Sequence, residues 1–246
     1  MLKKYILKLI FRVCLFLFVI FLYVFDRELL SITGIYHIVG IRPMHVIWVI
    51  LMIEMIIQIT PTSKITMGCL KQFRDKYTEP SETYDKLNLY ENVQQMNISA
   101  IKVLLTWFLF NSIVGIIYLY GLIGVTELIL ITMFYYVSDL ICVIFWCPFQ
   151  SLIMKNRCCV NCRIFNWGHF MMYTPMLFIR SFFSWSLFFM SILVLIRWEL
   201  SYLKHPERFW DGSNTAIRCT ECSDNLCKFK KALKSKWWAP TYRNDL

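Results

Sequence analysis

The sequence predicts an all-α protein that crosses a membrane several times. Of its 246 residues, 58% are hydrophobic and only 17% are charged, a balance that is unusual for soluble domains. Several apolar runs approach the roughly 20 residues that a helix needs to cross a bilayer. The candidate spans are Tyr5–Phe25, Val46–Thr60, Ile101–Tyr120, Glu127–Phe149 and a long run from Phe170 to Trp198. We therefore expect a polytopic integral membrane protein with about five transmembrane helices, with four to six as open alternatives.

The second span is short, and its start is irregular. Arg42-Pro43 separates it from the mostly apolar residues 29–41. This break predicts either a broken helix or a thin crossing that follows an interfacial piece. The third and fourth spans are joined through Gly121 and Gly124, so they should form a tight antiparallel hairpin.

The fifth run is longer than one crossing requires and contains Pro175 and Arg180. Residues 181–197 could cross alone, in which case residues 164–179 would be an interfacial or re-entrant piece. A single tilted helix is the alternative, because a longer apolar stretch can tilt within the bilayer.

The chain divides into two predicted regions. Residues 1–198 form a transmembrane helical domain with a polar loop at 61–100, and residues 199–246 form a basic tail that contains cysteines. The net charge of +10 arises from basic residues that flank apolar runs. This pattern favours the lipid bilayer and its anionic headgroups as partners, with other membrane proteins as further candidates and no nucleic acid. The basic residues near the helix ends favour a cytoplasmic N-terminus in a cell membrane.

A cluster of thiols lies between the fourth and fifth spans. The candidate metal ligands are Cys147, Cys158, Cys159, Cys162 and His169. Cys159 and Cys162 have C-x-x-C spacing, which lets two thiolates converge on one ion or form a reactive disulfide. Arg157 and Arg163 flank the loop thiols and should lower their pKa. The cluster predicts a zinc site or an iron–sulfur cluster, although cysteines can also serve as small hydrophobic residues at membrane edges.

A second set of thiols lies in the tail, at Cys219, Cys222 and Cys227. Its C-x2-C-x4-C spacing reverses the order of a known iron–sulfur spacing. The two clusters could build one four-cysteine site if they shared a membrane face. Five crossings would put them on opposite faces, where a disulfide with one free thiol is the alternative.

Three charged residues interrupt the apolar spans, namely Glu54, Asp139 and Arg180. An unpaired charge at the centre of a bilayer costs about 2.5–3.5 kcal/mol on insertion scales, so each residue needs a partner or a wet cavity. One interpretation is a buried ion pair between Asp139 and Arg180. The other is a proton or cation path through Glu54 and Asp139.

The sequence Cys159-Val-Asn-Cys162 lies beside an aromatic stretch. The aromatic residues are Phe165, Trp167, Phe170 and Tyr173. This arrangement resembles that of small membrane thiol oxidases of the disulfide-generating and vitamin K epoxide reductase kind, and the resemblance implies a quinone as cofactor. Those enzymes keep the pair on a four-helix bundle with its thiols facing the oxidising side. The charge bias here places the loop on the inside, so the chain is not assigned to that family.

Three functional hypotheses follow from these residues. The first is a membrane protein whose cysteine cluster binds a metal ion and serves in sensing, in metal handling or in supporting a partner complex. The second is a thiol–disulfide or quinone oxidoreductase that uses Cys159 and Cys162. The third is a proton- or cation-coupled transporter that uses Glu54, Asp139 and Arg180. Whether the protein is an enzyme is left open, because the chain has no Walker loop, G-x-S-x-G or H-E-x-x-H motif.

Overall fold

The computed structural model describes residues 2–30, 42–59, 72, 77–80, 84–156, 158 and 162–218 of the chain. Within these residues every regular element is a helix. The α-helices are α1 (Leu2–Phe25), α2 (Pro43–Ile59), α3 (Lys86–Leu119), α4 (Val125–Ile144), α5 (Gly168–Tyr173) and α6 (Phe182–Lys204). Four of them, α1, α3, α4 and α6, are long and apolar enough to cross a membrane. The all-α class is thus confirmed for the described residues, as is the presence of several helices that are long and apolar enough to cross a membrane.

Helices α2 and α3 begin where their local chemistry favours a helix start. Pro43 opens α2, where the missing N–H of proline leaves no helical hydrogen bond unmade. Asp85 caps α3, because its carboxylate accepts a hydrogen bond of 2.8 Å from the backbone N–H of Leu87, a partner that helix N-termini need. Helix α3 therefore starts at Lys86 and not at the predicted Ile101. The last part of the predicted polar loop 61–100 belongs to this helix.

Helices α1 and α4 are antiparallel. Arg12 in α1 is hydrogen-bonded to Asp139 near the end of α4. Tyr23, towards the end of α1, donates a hydrogen bond of 2.8 Å to Glu127 in the first turn of α4. Residue numbers therefore rise along one helix as they fall along the other. Helix α4 is also antiparallel to α3, since the predicted hairpin turn is present and Gly121 adopts the φ of 73° that favours glycine.

Helices α2 and α6 run in the same direction. The rings of His45 and Phe183 have centroids 4.8 Å apart. Three residues further along each helix, the indole N–H of Trp48 donates a hydrogen bond of 2.9 Å to the hydroxyl of Ser186. Both contacts have the same offset in sequence, which fixes the parallel register.

Residues 163–178 form an irregular helical rod, which we call the central segment. It consists of a 3₁₀ turn (Arg163–Trp167), α5 and a second 3₁₀ turn (Thr174–Phe178). At about 1.5 Å per α residue and 2.0 Å per 3₁₀ residue, its length is roughly 30 Å. No residue from Arg163 to Met176 is exposed. The central segment is therefore enclosed by the long helices along almost its whole length.

The central segment runs parallel to α3. The indole N–H of Trp107 donates a hydrogen bond of 3.0 Å to the hydroxyl of Thr174. Further along both rods, Gly115 lies directly against the ring of Phe178. Any larger side chain at position 115 would occupy the space of that ring.

The long apolar run from Phe170 to Trp198 is thus two rods and not one tilted helix. The chain turns between them at Ile179–Ser181, and α6 then returns along the bundle. The last part of α6 lies beside the start of the central segment, because the guanidinium of Arg163 pairs with Glu199 at 2.6 Å. Of the predicted alternatives, the separate helix after residue 181 is confirmed. The preceding piece is a buried rod and does not lie on the surface.

These directions place both ends of the described chain together. The starts of α1, α3 and the central segment lie at one end of the bundle, with the ends of α2, α4 and α6. We call this the N-terminal end. The α3–α4 hairpin and the turn before α6 lie at the opposite end.

The surface of the bundle is apolar, and charge lies inside it. Phe11, Phe18, Phe21 and Phe25 on α1 are between 43% and 73% exposed, whereas Arg12 on the same helix is 1% exposed. A soluble protein shows the reverse distribution, because exposed apolar area is unfavourable in water. This distribution is typical of a helix that faces lipid on one side.

We expect Gly115→Ala to destabilise the packing of α3 against the central segment. A Cβ at this position would overlap the ring of Phe178, and overpacking of this kind typically costs about 1–3 kcal/mol. The measurement is the thermal unfolding midpoint of the protein in detergent. Ser112→Ala, on the exposed face of α3, is the matched control and should leave the midpoint unchanged. Equal midpoints for the two variants would contradict the close approach.

Candidate functional site

Arg12 joins three helices inside the bundle. Its Nη1 donates hydrogen bonds to the carboxylate of Asp139 at 2.8 Å and to the carbonyl oxygen of Tyr136 at 2.7 Å, both on α4. Its Nη2 donates to the carboxylate of Glu54 on α2 at 3.0 Å. The guanidinium also lies over the ring of Tyr136, 4.1 Å from its centroid. One buried side chain of α1 thus binds both α2 and α4.

Two further groups complete the coordination of Glu54. Lys8, one turn before Arg12 in α1, forms an ion pair with the same carboxylate oxygen that Arg12 contacts. The hydroxyl of Tyr136 donates a hydrogen bond of 2.8 Å to the other oxygen. The cluster holds two basic and two acidic side chains, so its formal charge is balanced. Buried ions are tolerated when they are paired and hydrogen-bonded in this way.

The spacing of these residues follows from helical geometry. Lys8 and Arg12 are four residues apart and so share one face of α1, as Tyr136 and Asp139, three apart, share one face of α4. Gly168 allows the central segment to approach the same site. A Cβ built there would lie 2.5 Å from a carboxylate oxygen of Asp139, so a larger residue would displace that carboxylate.

A cavity of about 360 Å³ lies beside the cluster, in the half of the bundle nearer its N-terminal end. Its polar lining comprises Lys8, Arg12, Glu54, Gln58, Tyr136, Asp139, Asn166 and His169. Its apolar lining comprises Phe11, Ile50, Ile53, Ile57, Leu140, Val143 and Phe165. The volume falls within the range of small-molecule sites, which typically combine apolar walls with a few convergent polar groups.

His169 contributes an unsatisfied polar atom to this cavity. The side chain is 7% exposed, and its Nε2 has no hydrogen-bond partner among the described residues. Beside it, the amide of Gln58 donates a hydrogen bond of 2.8 Å to the side-chain oxygen of Asn166. His169 lines the cavity, but its Nε2 has almost no accessible surface. This unpaired atom, which is unfavourable when buried, would therefore meet a molecule in the cavity only after the ring turns.

The structure brings two of the three predicted intramembrane charges together and separates the third. Glu54 and Asp139 both bind Arg12. Arg180 is exposed at the opposite end of the bundle, in the turn before α6. The interpretation that Asp139 pairs with Arg180 is therefore wrong. The central segment, which was expected at the surface or as part of one tilted helix, separates the two residues along the bundle axis.

The described thiols of the predicted metal cluster lie at the N-terminal end. Cys162 is 2% exposed, among apolar residues such as Met154 and Trp198. Burial raises the pKa of this thiol to about 12. It therefore favours the protonated form of Cys162.

Arg163 does not activate Cys162 as the sequence suggested. Its guanidinium instead pairs with Glu199 and lies over the ring of Tyr202, 4.0 Å from the centroid. The expectation of a lowered pKa at Cys162 is wrong, because desolvation dominates and the guanidinium of Arg163 is paired with Glu199.

The predicted metal ligands are only partly described by the structure. Cys159, Cys219, Cys222 and Cys227 lie outside the described residues. His169 lies in the charged cavity, where its electrostatic neighbours are Lys8, Arg12, Glu54 and Asp139. Across the described part of the chain, no three His, Cys, Asp or Glu side chains form a group that could hold a metal ion. The metal site therefore stays a prediction.

Sequence reasoning missed the basic half of the site. Lys8 and Arg12 were used only as evidence for orientation, although their four-residue spacing within an apolar span was a signal of a shared buried face. Tyr136 gave no comparable signal, because a tyrosine in an apolar helix is common.

Comparison of the chain with family models, with curated proteins and with solved structures finds no match. The function is therefore argued from the geometry of the cavity and its charged residues.

We expect Arg12→Met to destabilise the bundle strongly, because it leaves the carboxylates of Glu54 and Asp139 buried with one cation fewer. Loss of one partner from a buried ion pair costs about 3–5 kcal/mol. The measurement is the free energy of unfolding in mixed micelles. Adding Glu54→Gln and Asp139→Asn to this variant should recover part of the loss.

The matched control for this variant is Arg27→Gln. Arg27 lies just after α1, is paired at 4.0 Å with Glu127 and has a side chain 63% exposed. An exposed pair of this kind contributes about 1 kcal/mol or less. If Arg12→Met were no less stable than Arg27→Gln, Arg12 would not be the bridge that the geometry indicates.

Proposed function

We propose that the protein is an integral membrane carrier that binds a small polar solute in the charged cavity and couples its movement to a proton or another cation. The observation that carries this proposal is the cavity itself. It places paired charges and an unsatisfied histidine beside about 360 Å³ of space, inside a bundle with an apolar exterior. Ionisable residues within a membrane most often mark substrate or ion pathways.

The arrangement of rods supports six crossings. To the four helices that are long and apolar enough we add α2 and the central segment. At 1.5 Å per residue, α2 is roughly 25 Å long, and the central segment is roughly 30 Å long. Both lengths approach the thickness of the hydrocarbon core. Six crossings would bring the N-terminus and the start of the tail to the same side, the cytoplasm if the charge bias applies.

The irregular backbone of the central segment supports a transport role. Non-helical or broken backbone at membrane depth is tolerated where it is enclosed by protein or lines a cavity. In many transporters, broken helices of this kind form the substrate and ion sites. Here the junction between the first 3₁₀ turn and α5 supplies Asn166, Gly168 and His169 to the cavity.

The balanced cluster offers a physical basis for coupling. Each carboxylate is held by at least one cation, and Glu54 is held by two. A proton or cation that neutralises Glu54 or Asp139 would free Lys8 or Arg12 to bind something else. Because an uncompensated charge is costly in a low dielectric, the arrival of a cation and of a solute would be linked.

The cysteine metal site is a second candidate, which one observation favours. The end of α6, the segment that follows it and the loop around Cys162 share the N-terminal end of the bundle. Phe209 packs on Trp198, with ring centroids 5.0 Å apart, and Trp198 donates a hydrogen bond to the carbonyl of Arg163. Six crossings therefore remove the objection that the loop and tail thiols lie on opposite faces. The thiol–quinone alternative gains no support, since Cys162 is buried with a raised pKa.

We expect proteoliposomes loaded with a pH-sensitive dye to show proton movement when a suitable solute is added. The added solutes are leucine, 4-methylpentanoate, leucinamide and sodium, each tested under an imposed membrane potential. At least one should change the internal pH by more than it does in protein-free liposomes, which 4-methylpentanoic acid and leucinamide enter as neutral species. Glu54→Gln and Asp139→Asn should each reduce that additional response about ten-fold.

The matched controls are Glu28→Gln, an exposed acid after α1, and Cys158→Ser. Both should retain the response. If correctly folded protein gives no pH change beyond that of protein-free liposomes with any solute, the carrier proposal is overturned.

We expect Cys147 and Cys158 to be labelled by thiol reagents from the side that carries the N-terminus. If a metal is bound with the tail cysteines, a chelator should increase this labelling, because coordinated thiolates are protected. Mass spectrometry of the labelled peptides provides the readout. Labelling that the chelator does not change would contradict the metal site and leave the carrier proposal unaffected.

A further inference from the structure

We infer that the solute is a small zwitterion, with an amine and a carboxylate carried on an apolar group. This inference deepens the proposed function, on which it rests for transport. It can be tested separately, because binding to the cavity is measurable without any flux.

The charge balance of the lining carries the first step. The cavity is lined by two basic side chains, Lys8 and Arg12, and two acidic ones. The acidic side chains, Glu54 and Asp139, already form ion pairs with the basic ones. A lone anion or cation in this cavity would leave one net charge away from water, which is unfavourable in a low dielectric. A zwitterion adds no net charge, and each of its ends can bind a side chain of the opposite sign in the cluster.

The positions of the charged groups carry the second step. Lys8 and Asp139 are the most accessible members of the cluster, with side chains 33% and 25% exposed, whereas Arg12 is 1% exposed. Lys8 can therefore bind a carboxylate and Asp139 an amine without dismantling the Arg12 bridge. Both lie on the cavity wall, so one small molecule can contact both.

The neutral groups carry the third step. His169 is more than nine-tenths buried, lines the cavity and leaves Nε2 without a hydrogen-bond partner in the described part of the chain. Nε2 itself has almost no accessible surface, so a turn of the ring is needed before it can donate to or accept from one polar atom of the bound molecule, in either tautomer. The unmet hydrogen bond is one that a ligand with a donor or an acceptor can supply after that turn.

The remaining wall indicates an apolar substituent. Leu140 and Val143 on α4 face Ile50, Ile53 and Ile57 on α2 across the same space. Apolar walls of this kind contribute affinity in proportion to the area they cover. The cavity is larger than an ammonium and a carboxylate alone would fill, so a branched aliphatic group fits the class of ligand.

The test compares three molecules of nearly the same shape on the purified full chain in detergent. They are leucine, a zwitterion; 4-methylpentanoate, an anion; and leucinamide, a cation. Calorimetric titration should give binding of leucine that is at least about ten-fold tighter than that of either ion. Tighter binding of 4-methylpentanoate or leucinamide would overturn the inference, as would the absence of binding by all three.

Variants then locate the ligand. His169→Leu should weaken the binding of leucine about ten-fold, whereas His169→Gln, which keeps a polar group, should retain most of it. Arg27→Gln, at the other end of α1, is the control and should bind as the unmodified protein does. A thermal unfolding midpoint for each variant shows that it is folded. Equal affinity for His169→Leu and the control would overturn the placement of the ligand.

The two proposals fail in different ways. If leucine binds but no solute moves protons in proteoliposomes, the binding site stands and the carrier role is wrong. If the protein moves protons in response to 4-methylpentanoate or leucinamide but does not bind leucine, the carrier role stands. The inference that its solute is a zwitterion is then wrong.

Discussion

The burial of Arg12 is the constraint on which the rest of the structure depends. A guanidinium that is 1% exposed must find acceptors within the bundle, because the desolvation of an unpaired charge would exceed the small net stability of a folded chain. The acceptors come from α2 and α4, so a single side chain fixes the relative position of three helices. The same requirement draws in Lys8 and Tyr136, which complete the partners of Glu54. What results is a polar interior that leaves room for a molecule.

Hydropathy predicted most of the rods and left their number open between four and six. Helices α1, α4 and α6 and the second part of α3 are apolar runs that were visible in the sequence, whereas the polar first part of α3 was not predicted as part of that span. The central segment was predicted only as one alternative, a separate piece at residues 164–179, because Pro175 and Arg180 interrupt the run that it shares with α6. Its burial could not be predicted, because it depends on neighbours such as Gly115, which lies against Phe178. No local pattern in the sequence reports such a contact.

The candidate site was predicted in part for a similar reason. Glu54 and Asp139 stand out in the sequence, since acidic residues are rare in apolar spans. Their partner could not be identified, because the choice between Arg12 and Arg180 depends on which rods are neighbours and in which direction they run. His169 was predicted as a metal ligand from its distance along the chain to the cysteines. The fold turns it towards the acidic residues instead, and so changes the chemistry that it can serve.

Charge exchange between Arg12 and Asp139 tests this account most directly. In a Glu54→Gln background, which removes the other carboxylate that Arg12 contacts, Arg12→Asp and Asp139→Arg each place like charges together inside the bundle, so each exchange alone should be strongly destabilising. The doubly exchanged protein restores an opposite pair at the same place, and its thermal unfolding midpoint should recover at least half of the combined loss. If the midpoint of the double variant falls by the sum of the two single decreases, the side chains at positions 12 and 139 do not contact each other. The bridge that organises the cavity would then be absent.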